Sequence, residues 1–81
     1  MDLWEFYERV EQLIVALREG GHPVEAEQVE IAIRGGATSG EILGRLAVAL
    51  PDVANSVLSF RAEVERLLDW VEETLRPRRD G

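Results

Sequence analysis

The chain carries one histidine, His22, and no cysteine. Any metal or nucleophile chemistry must therefore be assembled from that imidazole, carboxylates and hydroxyls. A helical two-metal centre takes Glu-x-x-His pairs from facing helices, but the acids at helical spacing, Glu5, Glu8 and Glu11 and then Glu27 and Glu30, have no histidine partner. Hydroxyls at Thr38, Ser39, Ser56, Ser59 and Thr74 become nucleophiles only beside a base that a third group orients. No spacing brings His22, set between Gly21 and Pro23, to any of them. The loop Gly35-Gly36-Ala37-Thr38-Ser39-Gly40 leads into a helix start, where free N–H groups hold anions. A phosphate loop also needs a lysine and a preceding strand, and the chain has no lysine at all. Arg76, Arg78 and Arg79 suit the C-terminal dipole of a last helix better than a nucleic acid. Sixteen acids against nine arginines leave a net charge of -7, which repels phosphate backbones. No enzyme, metal, cofactor or small-molecule site is expected, and nucleic acid is not an expected partner.

The elements that position these residues follow from apolar spacing. With 81 residues, 46% hydrophobic and 31% charged, the chain has room for one core and one domain. No run of about 18 apolar residues offers a membrane span. The start, Met1-Asp2-Leu3-Trp4-Glu5, lacks the basic and apolar regions of a signal peptide. The expected location is cytoplasmic, and nine arginines without a lysine suggest a bacterial, GC-rich origin.

Leu3, Phe6, Tyr7, Val10, Leu13, Ile14 and Leu17 recur at steps of three and four, which predicts a helix over 3–19. Asp2 caps its start, with Glu5 as the reciprocal partner, and Gly20-Gly21 stops it. Pro23 opens a second helix that Gly35-Gly36 ends. On that helix Glu27, Glu30 and Arg34 form one polar strip. Val24, Ile31 and Ala32 lie on one side of it and Ala26, Val29 and Ile33 on the other, so neighbours are expected on both flanks.

Thr38-Ser39-Gly40-Glu41 reads as a capping box for a third helix carrying Ile42, Leu43, Leu46, Ala47, Ala49 and Leu50, which Pro51 is expected to close. Gly40 and Gly44, one turn apart, either mark a close backbone approach or are sequence drift. From Asp52 to Arg76 the seam Val53, Val57, Phe60, Val64, Leu67, Val71 predicts the longest helix, leaving 77–81 as a disordered tail. Glu5/Arg9, Glu30/Arg34, Glu41/Arg45 and Glu72/Arg76 each place a glutamate four residues before an arginine, one pair per helix.

The expected fold is all-α: a small antiparallel four-helix bundle spanning 1–76, with long first and last helices and a short middle hairpin. The last seam is widened by Ala54, Leu68 and Leu75, as in a globular core or in a helix shared between a bundle and a dimer partner. Trp4 falls off the first stripe beside Glu8, Glu11 and Val15. It is placed to anchor a partner, to fold over the bundle end or to pack on Trp70.

The function read from these features is a non-enzymatic interaction module that forms a homodimer. Trp4, Val57, Val64, Trp70 and Val71 are its expected partner-binding residues. The alternative is an inhibitor, immunity or antitoxin-like protein that masks a basic partner with Glu8, Glu11, Glu27 and Glu30.

Overall fold

A computed structural model describes residues 1–76. The chain runs α1 (Leu3–Glu19), α2 (Pro23–Arg34), α3 (Ser39–Ser56), a 3-10 turn (Leu58–Phe60) and α4 (Arg61–Leu75). The four helices pack around one core with no strands among the described residues, a small all-α four-helix bundle. The expected tail, 77–81, lies outside the described residues.

Each start and stop has a local cause. Asp2 Oδ1 accepts the Glu5 N–H at 2.8 Å, satisfying one of the free donors of the first turn. Glu5 does not return the bond and instead reaches Arg9 at 3.4 Å. At the other end of α1, Gly21 takes φ +85°, the His22 N–H donates to the Leu17 carbonyl at 2.8 Å and the Gly21 N–H to the Arg18 carbonyl at 3.2 Å. That pair of bonds closes the helix C-terminus through one left-handed residue. Thr38 Oγ1 accepts the Glu41 N–H at 3.2 Å, while Glu41 reaches back past the cap to the Ala37 N–H at 3.4 Å.

The third and fourth helices differ from expectation. Pro51 lies inside α3, which continues to Ser56 and, at 18 residues, is the longest helix; α4 has 15. A mid-helix proline removes the bond to the carbonyl four residues back and costs about 3 kcal/mol. Here Leu43, Leu46, Leu50, Val53, Ala54 and Val57 form one uninterrupted buried stripe across it. Burying three more apolar side chains beyond the proline offsets that cost.

The helix ends at Ser56 with Val57 as its cap, and the chain bends by 119° into the Leu58–Leu75 segment, short of full reversal. The predicted seam is thus cut in two. Its residues still enter one core: Val53, Val57, Val64, Leu67 and Val71 are all buried, with Phe60 packed against them.

The first and last helices meet at one end. Trp70 stacks on Phe6 with ring centroids 4.4 Å apart and planes 18° from parallel, and its Nε1–H donates to the Met1 carbonyl at 2.9 Å. Charges tie α1 to α2 on the surface. Arg18 pairs with Glu30 at 2.7 Å, and Arg34 bridges Glu30 at 3.3 Å and Glu11 at 3.4 Å. The Arg18 hydrogen bond holds the Glu30 carboxyl below the usual range, and the same bond raises Arg18. No single described helix is long and apolar enough to cross a membrane.

Candidate functional site

A functional surface here has to be built from what the core leaves outside. Of the five residues expected to bind a partner, Val57, Val64 and Val71 are 2% exposed or less. They are used within the chain, so the intramolecular reading of the seam is the one the structure adopts. Trp70 is half-buried and held by Phe6 and Met1. Trp4 stands apart at 74% exposed, on the outer flank of α1 and packed on neither the bundle end nor Trp70.

The larger open surface lies elsewhere, on α2 and α3. The core-facing flank of α2 is covered, with Ala26, Val29 and Ala32 buried. The opposite flank presents Val24 at 64% and Ile31 at 59% exposed. The two neighbours expected for α2 are α1 and α3; Ala32, on the Val24/Ile31 flank of the wheel, is buried with them, while Val24 and Ile31 stay outside.

On α3 the residues opposite the buried stripe are Glu41, Gly44, Arg45, Val48 and Asp52, which share one face because their steps are three and four. Val48 is 72% exposed. Between these faces runs an open groove of about 680 Å³. Gln28, Ile31 and Ala32 line it from α2, and Glu41, Gly44, Arg45, Val48, Ala49 and Asp52 from α3.

Two details of the groove separate it from an ordinary surface. Gly44 has open space where a Cβ would stand, so no neighbour inside the chain requires glycine there. The close approach read from Gly40 and Gly44 does not occur within this molecule, yet a helix-interior glycine costs about 1 kcal/mol relative to alanine. Arg45 is the second detail. Its expected partner Glu41 is engaged at the Ala37 N–H, and neither Arg45 nor Asp52 forms an ion pair among the described residues. The Arg45 guanidinium lies beside Gly35, the cap residue of α2, where the helix dipole favours a cation.

The groove offers shape and apolar area but no reactive constellation. His22 packs edge-on to Phe60 at 6.1 Å, in the α1–α2 turn and outside the groove lining. Among the described residues no three acids or histidines gather as metal ligands. The acids named for a basic partner are divided: Glu11 and Glu30 are engaged by Arg34 and Arg18, while Glu8 and Glu27 form no ion pair among the described residues. No signal in the sequence marks the groove itself, although the two-flanked wheel of α2 and the lone glycine at position 44 belong to it. Comparison with family models, with curated proteins and with solved structures finds no match.

Proposed function

We propose that this chain is a non-enzymatic helical interaction module that self-associates through the open face of α2 and α3. The observation that carries the reading is the pair of exposed Ile31 and Val48 lining a groove with Gly44, and exposed Val24 further along α2. Large apolar side chains contiguous on one face mark interaction sites more often than scattered ones do. The reading keeps the homodimer and moves its contact from the valine seam of the last helix to the opposite side of α3.

Light scattering over a hundredfold dilution tests it. The wild type is expected to be dimeric and to dissociate on dilution, whereas Ile31→Glu and Val48→Glu remain monomeric with unchanged helical circular dichroism. Both side chains are more than half exposed, so a charge there leaves the core intact. A wild-type chain that stays monomeric at every concentration overturns the proposal.

A second reading rests on Trp4. Its exposed indole beside Glu8 suits a basic partner of an inhibitor, immunity or antitoxin type, through complementary charge and cation–π contact. Capture of such a partner is expected to fall in about 0.5 M salt, where exposed charges are screened within a few ångströms, and to fall on Trp4→Ala.

A further inference from the structure

We infer that the occupant of the α2–α3 groove is a second copy of the chain set antiparallel across a twofold axis near Val48 and Ala49, with Arg45 of each copy against Asp52 of the other. The inference rests on the proposed self-association and adds its orientation and register.

Charge selects the occupant. A chain of net charge -7 meets its own copy most easily where its acids are sparsest. The outer surface of α1 carries Glu8, Glu11 and Glu19, and α4 carries Glu65, Asp69, Glu72 and Glu73. The residues of α2 that line the groove, Gln28, Ile31 and Ala32, are uncharged, with exposed Glu27 beside Ile31, and the facing strip of α3 holds Arg45 between Glu41 and Asp52. Two copies can approach there with the least repulsion.

Spacing selects the orientation. Arg45 and Asp52 are seven residues apart, about 10 Å along α3, on one face with Val48 between them. In a parallel pair Arg45 would meet Arg45 and Asp52 would meet Asp52. In an antiparallel pair centred between Val48 and Ala49, each Arg45 falls level with the other copy's Asp52, and both ion pairs form at once. A twofold interface is self-complementary in this way. Val48 then packs on its own copy, and the open space above Gly44 lets the two α3 backbones approach closely.

The test is a charge-reversal cycle read as the dimer dissociation constant. Arg45→Asp and Asp52→Arg are each expected to weaken the dimer about tenfold or more, since both symmetric pairs become repulsive. The combined R45D/D52R chain is expected to return to within about threefold of wild type. In a parallel dimer neither single change would weaken association, because the like-charge contacts already exist. The chain has no native cysteine, so single introduced thiols report the axis directly. Val48→Cys is expected to cross-link to its own copy on oxidation. Gly44→Cys, about 13 Å from its copy in this register, is expected not to. A wild-type dimer that Ile31→Glu dissociates but that ignores the single reversals, or that cross-links through Gly44→Cys, overturns the register while leaving self-association standing. A monomeric wild type overturns both.

Discussion

Tyr7 sits against the core with its hydroxyl buried and without a hydrogen-bond partner among the described residues. A buried polar group left unpaired costs about 1–3 kcal/mol. Tyr7→Phe is therefore expected to stabilise the fold by about 1 kcal/mol in urea denaturation, and a loss of stability would show that the hydroxyl is satisfied in solution. Glu30 carries a prediction about pH. Its carboxyl is lowered in the folded chain, first by the Arg18 hydrogen bond, so its share of stability is present above the ordinary glutamate range. That share is lost as pH falls through that range toward the lowered folded value. Glu30→Gln is expected to flatten the acid limb of the stability curve, an effect that salt reduces because the pair lies at the surface. The residue scale also divides the two tryptophans: Trp70 is a structural clasp between chain start and last helix, while Trp4 is exposed.

Among the elements, the turn between α1 and α2 depends on one backbone conformation. Gly21 holds φ +85°, where an L side chain costs about 1–2 kcal/mol. A Cβ there would meet nothing within 4 Å, so Gly21→Ala isolates the backbone term. It is expected to lower stability by about 1–2 kcal/mol in the same denaturation assay, with no loss of core packing; an unchanged midpoint would place the left-handed residue elsewhere. The helix boundaries show how local and tertiary signals compete. Gly21, Pro23 and the Thr38 cap act within a few residues, and α1 and α2 lie where their punctuation predicts. Pro51 is also local, yet the apolar stripe of α3 runs through it, because Val53, Ala54 and Val57 are buried by α3 continuing. The break comes instead at Val57–Phe60, marked only by Asn55, Ser56 and Ser59, residues that favour turns weakly.

At the level of the whole molecule, a domain of this size buries a modest share of its surface and is marginal alone. Binding a second copy would add stability that grows with concentration. The unfolding temperature is thus expected to rise with protein concentration for the wild type and to stay constant for Val48→Glu, as followed by circular dichroism at several dilutions. A concentration-independent midpoint for the wild type would count against the dimer.

The helical class, the four apolar stripes, both caps and nearly every core residue were legible in the sequence, because period, capping and turn chemistry act over a few residues at a time. The seam Val53, Val57, Phe60, Val64, Leu67, Val71 was read correctly as apolar and wrongly as one helix: a break that keeps the step of three and four leaves no trace in periodicity. The same limit hid the candidate site. A helical wheel shows that α2 has two apolar flanks and cannot say that Ala32 enters the core while Val24 and Ile31 of the same flank do not. Only the tertiary packing, which buries Ala26 and Val29 and leaves Val24, Ile31 and Val48 outside, decides which apolar face remains for a partner, because exposure depends on where the other helices come to lie.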